Sequence, residues 1–194
     1  MDKSWYKPYD SPEELYVSWY LDEMIEAGYV IKYDYQPDSF ALSSKGTYGW
    51  RKKLKTKNKD MVSTLLQEHV YTADFEVMWE PSAVSLLLKA LGGTLKGRLT
   101  PFWAEITSPD SNIISTWEVK PLFDRNNMTR LFTINQKWVY DKYGIYVQKI
   151  IPQKLFKDTF TPERYLLTDS GKQKRKLNFT PRTLEEYVES RRQA

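Results

Sequence analysis

The chain has 194 residues, 41% of them hydrophobic, with one histidine and no cysteine. Those counts exclude a disulfide framework, a Cys nucleophile, Cys-based zinc or iron–sulfur chemistry and a zinc site of several imidazoles, so any metal must rest mainly on oxygen ligands. The net charge of +4 is unevenly spread: residues 45–59 carry +7 (Lys45, Arg51, Lys52, Lys53, Lys55, Lys57, Lys59), residues 172–176 carry +4 (Lys172, Lys174, Arg175, Lys176), and the remainder carries −7.

Ser11-Pro12-Glu13-Glu14 predicts a helix start, with Ser as N-cap, Pro at the first helical position and acids in the first turn. Val17, Leu21, Met24 and Ile25 follow the helical period, and Gly28 ends the element. Strands are expected at 30–35 and 39–42, broken at Gln36-Pro37. The basic stretch 43–60 has the composition of a loop, and 61–66 has no clear type. Residues 70–79 read as one strand, with Tyr71, Ala73, Phe75 and Val77 on a single face. Residues 80–112 read as an insertion, with a short apolar helix at 84–91 followed by Gly and Pro breaks.

A strand is expected at 112–120, stopped by Pro121. A helix follows at 126–143, with Leu131, Ile134, Trp138, Val139 and Tyr143 as its inner face and Gly144 at its end. Residues 145–151 complete the strands. Thr161-Pro162-Glu163 and Thr180-Pro181 predict two further helix starts, and residues 170–194 read as a basic tail or satellite helix behind a single domain at 1–169. A long helix between two strands implies an α/β fold with a mixed central sheet flanked by helices. No apolar run approaches transmembrane length and no hydrophobic leader is visible at the N-terminus, so a cytoplasmic protein is expected.

Asp74 lies inside a strongly apolar strand, where a carboxylate is costly unless solvated, paired or metal-bound. Glu118 and Lys120 are two residues apart at a strand end and so share a face. Two carboxylates suit a hard cation, which lowers the pKa of a bound water and neutralises a phosphate. A neighbouring ammonium suits positioning that water and meeting developing negative charge. The plainer alternative is an exposed acid–Lys pair worth ~0–1 kcal/mol. Paired carboxylates would also serve a glycosidase, although Lys120 and the basic runs speak against one.

The helix with Ser11-x-x-Glu14, the Tyr71-x-Ala73-Asp74-Phe75 strand, the Glu118-Val119-Lys120 strand end and the helix after it together resemble the PD-(D/E)XK nuclease superfamily. They look most like its phage-type and Holliday-junction-resolvase-like branch. The resemblance spans residues 11–151, apart from 43–60 and 80–112, and departs from the family in having Ala73 before Asp74 and a long gap before Glu118. It implies a restriction-endonuclease-like core and a Mg²⁺- or Mn²⁺-dependent endonuclease of phage or bacterial DNA recombination or repair. It also implies Asp74, Glu118 and Lys120 as the catalytic trio, Glu14 as an added ligand, and the Val119 carbonyl as a further contact to the cation. Glu14 equally fits a capping box. Gln136 and Lys137 on the following helix would reach the residues that hold the cation, or would be ordinary flank positions. Arg125 and Arg130 would meet phosphate or form surface ion pairs.

Lys45, Arg51, Lys52, Lys53, Lys55, Lys57, Lys172, Lys174, Arg175 and Lys176 are the candidate DNA contacts, and Tyr48 and Trp50 add stacking surfaces among them. His69 reads as a strand-start residue. By the same resemblance a homodimer is expected. The alternative function is a DNA-binding or assembly protein that keeps the fold without catalysis.

Overall fold

The computed structural model describes residues 4–83, 86–90, 102–106, 113–123 and 128–193. Within them the chain is an α/β protein whose mixed central sheet is flanked by helices. Helix α1 (Pro12–Glu26) starts at Ser11, whose extended backbone and hydroxyl cap the amide of Glu14. Gly28 takes φ +72 just beyond its end, a left-handed conformation that glycine adopts without a side-chain clash. Strand β1 (Val30–Tyr35) pairs antiparallel with β6 (Phe75–Trp79), and β6 pairs antiparallel with β9 (Ile113–Val119). The second edge of β9 is shared. Its start pairs with β8 (Phe102–Ile106), and its end pairs in parallel with β10 (Val147–Ile150). Strand β7 (Leu88–Ala90) lies beyond β8.

Residues 80–112 therefore add strands to the central sheet, and 88–90 is extended, not helical. The remainder of the expected short helix at 84–91 lies partly outside the described residues.

The sheet is covered on two sides. One layer holds α1, α3 (Pro152–Asp158) and α4 (Leu184–Gln193), whose Val17, Tyr20, Leu21, Phe156, Leu184 and Tyr187 pack with Phe75, Val77, Trp79 and Trp117. The other layer is built by α2 (Met128–Tyr143). Its Phe132 and Val139 pack with Tyr71, Ala73, Leu42 and Val147. With both faces covered, six of the seven residues of β9 are buried.

Four further sequence expectations are corrected. Residues 70–79 are two strands, β5 (His69–Tyr71), which pairs antiparallel with β2 (Phe40–Ser43), and β6, so Tyr71 and Ala73 join the α2 layer while Phe75 and Val77 join the α1 layer. The stretch 43–60 is no loop: β3 (Gly46–Lys53) and β4 (Asn58–Leu66) form an antiparallel ribbon. The inner face of α2 is Phe132, Asn135 and Val139, whereas Leu131, Ile134, Trp138 and Tyr143 are exposed. Asn135 is drawn inward because its amide oxygen meets His69 Nε2 at 2.9 Å, and the neighbouring Gln136 Nε2 donates to the Val147 carbonyl at 2.6 Å. These polar bonds and the packing of Phe132 and Val139 lie on the same inner face of the helix.

The C-terminal segment is the fourth correction. Leu184, Tyr187 and Val188 are core residues, and α4 begins at a Thr183/Glu186 capping box instead of at Thr180-Pro181. Thr161-Pro162 leads only into a 3-10 turn, Glu163–Leu166. No described helix is long and apolar enough to cross a membrane.

Candidate functional site: a buried carboxylate pair at the ends of β6 and β9

Asp74 immediately precedes β6, just where the chain breaks from β5. Its backbone still belongs to the ladder: the Asp74 amide donates to the Trp117 carbonyl at 3.0 Å, and its carbonyl accepts from the Gln36 amide at 2.9 Å. Held on both sides, its side chain reaches along the sheet, and Oδ2 accepts the Val119 amide at 2.6 Å. That bond ties Asp74 to the residue between Glu118 and Lys120. Oδ1 has no hydrogen-bond partner among the described residues.

On β9, Trp117 and Val119 face the α1 layer, so Glu118 faces the opposite side. Glu118 is only 7% exposed, a costly place for a carboxylate without partners. It has two. Tyr71 donates its hydroxyl to Oε2 at 2.7 Å, and Lys120 Nζ meets Oε1 at 2.5 Å. Lys120 is held in turn by its amide, which donates to the Ile150 carbonyl at 2.8 Å. In the sequence Tyr71 stood as an apolar strand position and as the first residue of the Asp74 motif, with no role of its own at the site. The signal that would have found it is its distance of three residues from Asp74, which sets the two on one site only if the strand breaks between them.

Glu14 is 7% exposed and fully engaged at the helix start. Oε1 accepts the Ser11 hydroxyl at 2.6 Å, and Oε2 accepts the Asp10 amide at 3.0 Å and the Tyr35 hydroxyl at 2.7 Å. Glu14 therefore acts as a cap, bonding back to the amide one residue before the N-cap. Its charge still reaches the site.

Burial first, then the charges of Glu118 and Glu14, push the Asp74 carboxyl up to about 7, while the Val119 amide and Lys120 pull it back only in part. The same burial and the Glu118 charge raise the Tyr71 phenol above its ordinary range, so it stays a donor.

Asp74, Glu118 and Lys120 thus converge, with Tyr71 beside them and Glu14 within electrostatic reach. No group of three or more His, Asp and Glu side chains among the described residues is arranged to hold a metal ion. The donor set fits a smaller demand. Mg²⁺ is commonly bound through one or two carboxylates and keeps several waters, and Asp74, raised to about 7 by burial first and then by the neighbouring acids, keeps one oxygen without a hydrogen-bond partner among the described residues.

The other candidates lie elsewhere. Gln136 is spent on β10, and Lys137 is exposed and borders an open groove of about 820 Å³ with Ile134, Trp138 and Tyr146. A second hollow of about 730 Å³ lies between α1 and the C-terminal segment, beside Trp19, Glu23 and Arg164. Neither hollow is lined by Asp74, Glu118 or Lys120. His69 stacks on Trp138 at 5.5 Å and serves the β5–α2 contact. Arg130 is exposed on α2, and Arg125 falls outside the described residues.

The basic residues divide into two kinds. Lys45, Arg51, Lys52, Lys53, Lys55, Lys57 and Lys59 are all exposed on the ribbon, and only Arg51 is paired there, to Asp60 at 2.9 Å. Lys172, Lys174 and Lys176 are exposed as well. Arg175, expected with them, turns inward. Its guanidinium bonds Asp169 at 2.6 Å and the Tyr165 carbonyl at 3.0 Å, and lies over the rings of Tyr16 and Tyr165. It is a clamp between the C-terminal segment and α1, not a free phosphate contact.

No family model, curated protein or solved structure matches the chain.

Proposed function

We propose that the chain is a metal-dependent endonuclease that hydrolyses DNA phosphodiester bonds at Asp74, Glu118 and Lys120, on a restriction-endonuclease-like core. The observation that carries this reading is the Val119 amide bond to Asp74 Oδ2, which joins two acids and a lysine from separate strands in one buried place. Asp74 and Glu118 would hold Mg²⁺ or Mn²⁺, with the Val119 carbonyl as a further oxygen. When bound, such a cation neutralises phosphate charge and makes a water more acidic.

The protein's own groups have distinct tasks. Tyr71 fixes the Glu118 carboxylate through Oε2. Lys120 supplies a positive charge and a proton donor at the same carboxylate, suited to orienting the attacking water and stabilising the charge that develops on the phosphate. Glu14 adds negative charge from the α1 start and anchors that helix against β1. The exposed lysines of the ribbon and of 172–176 would hold the DNA backbone by charge. A role in phage or bacterial recombination or repair, in the cytoplasm and as a homodimer, belongs to the same proposal.

A second reading is favoured by one observation: both oxygens of Glu118 are already satisfied by Tyr71 and Lys120. On that reading the trio is a structural polar cluster in a DNA-binding protein without catalysis.

Cleavage of plasmid, single-stranded and four-way-junction DNA in Mg²⁺ or Mn²⁺ separates the two. The endonuclease reading expects cutting by the wild type and a loss on the order of 10³-fold in Asp74→Ala and Glu118→Ala. Binding without cutting supports the second reading, and undiminished cutting by both variants removes the site from the chemistry.

A further inference from the structure

We propose that one face of the β3–β4 ribbon, carrying Tyr48, Trp50, Lys52, Lys59 and Met61, is a binding site for unpaired DNA. The proposal rests on the DNA reading above and adds which DNA the protein would hold.

Residues opposite one another in an antiparallel ladder share a face, and positions i and i+2 repeat it. The register pairs Tyr48 with Ser63, Trp50 with Met61 and Lys52 with Lys59, so these six side chains stand together. Across the ribbon, the other face pairs Arg51 with Asp60 and Lys53 with Asn58. Its central cation is thus neutralised within the ribbon. On the first face Lys52 and Lys59 stand directly opposite each other, and neither forms an ion pair among the described residues. Two facing like charges weaken a ladder unless an anion sits between them.

The same face presents aromatic rings to solvent. Tyr48 is 48% exposed and Trp50 41%, yet Trp50 does not swing freely: its Nε1 donates to Ser63 Oγ at 2.7 Å. A ring pinned in the open loses little freedom when a base stacks on it. Tyr48 and Trp50 are about 6.8 Å apart along the strand, so the two rings offer separate stacking surfaces on one face. Stacking rings next to unpaired cations are what single strands require, since their base faces are open and every base has one. A duplex hides those faces and would meet only the lysines.

The test is binding in EDTA, where no cutting interferes. A fluorescent 20-nucleotide thymidine strand and a blunt duplex of equal length are titrated with the full chain and followed by anisotropy. The proposal expects the single strand to bind at least tenfold tighter. Trp50→Ala should weaken single-strand binding by about tenfold or more, and Trp50→Phe should restore most of it. Lys52→Ala and Lys59→Ala should each flatten the dependence on salt by about 0.7 in log–log slope. Equal or tighter duplex binding, or a Trp50→Ala variant that folds normally and binds the strand like the wild type, overturns the proposal. So does a ribbon variant that only changes the oligomeric state. Strand binding without any Mg²⁺-dependent cutting would leave the ribbon site standing and remove the hydrolysis. Cutting with an indifferent Trp50→Ala would do the reverse.

Discussion

At the ends of β6 and β9 a carboxylate that is 7% exposed is wrapped by a phenol and an ammonium, whereas every charged side chain from Lys45 to Asp60 on the β3–β4 ribbon stands exposed. Both regions concentrate one sign of charge, and the protein treats them in opposite ways. In the buried site, burial adds to the repulsion among acids, so a proton is held up to about pH 7 and each charge is answered by a directed bond. On the ribbon, water screens six lysines and an arginine that have only Asp60 among them. The lesson is that buried like charges must be organised by the fold, while exposed ones can wait for a partner. Changes in the first region should therefore register in stability as well as chemistry, and changes in the second almost only in binding.

The largest effect on stability is expected at Arg175, which contrasts with the exposed lysines around it. Arg175→Ala removes two charge-assisted hydrogen bonds and two ring contacts at once, and should lower stability by about 3 kcal/mol in urea unfolding. If stability stays unchanged while DNA binding falls, Arg175 belongs with the free cations and the contrast is blurred.

Asp74 comes next, and here the sign runs against intuition. Burial and the neighbouring acids push its carboxyl in the folded chain up to about 7 from the ordinary 3.8, the value taken for the unfolded chain. Between those values the folded state holds a proton that the unfolded state has released, so this group lowers stability as pH rises from about 4 to about 7, and fully above that. Asp74→Asn keeps an acceptor for the Val119 amide without the charge. In EDTA at pH 8 it should be more stable than the wild type by an amount on the order of 2 kcal/mol, and the gain should vanish near pH 4. A variant that is less stable at pH 8 would show that the site already balances its charge. Gaining stability while losing activity is the trade expected of a functional site.

The smallest effect belongs to the ribbon. Lys55→Ala with Lys57→Ala should shift the melting midpoint by less than about 0.5 kcal/mol equivalent, while reducing affinity for DNA and its salt dependence. A clear loss of stability would mean that the ribbon is packed against something.

Much of this arrangement was legible in the sequence, and the failures share a cause. Helix α1, strand β1 and the grouping of Asp74 with Glu118 and Lys120 were readable because caps, periodicity and a carboxylate among apolar neighbours are local signals. The ribbon was not, because a strand pair exposed on both faces lacks the alternation that burial imposes and so resembles a loop. The inner face of α2 was misread because Asn135 and Gln136 are turned inward by partners far away in the chain, leaving Ile134 and Trp138 outside. Tyr71 was missed for the same reason: the break before Asp74 moves it from one layer to the other. The α3 helix and the inward-turned Arg175 likewise depend on tertiary contacts.

The central claim is that Asp74 and Glu118 together hold a divalent cation, and calorimetric titration with Mn²⁺ at pH 7 tests it most directly. The account predicts one site per chain, release of protons on binding because burial and the neighbouring acids raise the Asp74 carboxyl, and loss of that site in Asp74→Asn. No binding by the wild type, or equal binding by Asp74→Asn, would contradict it.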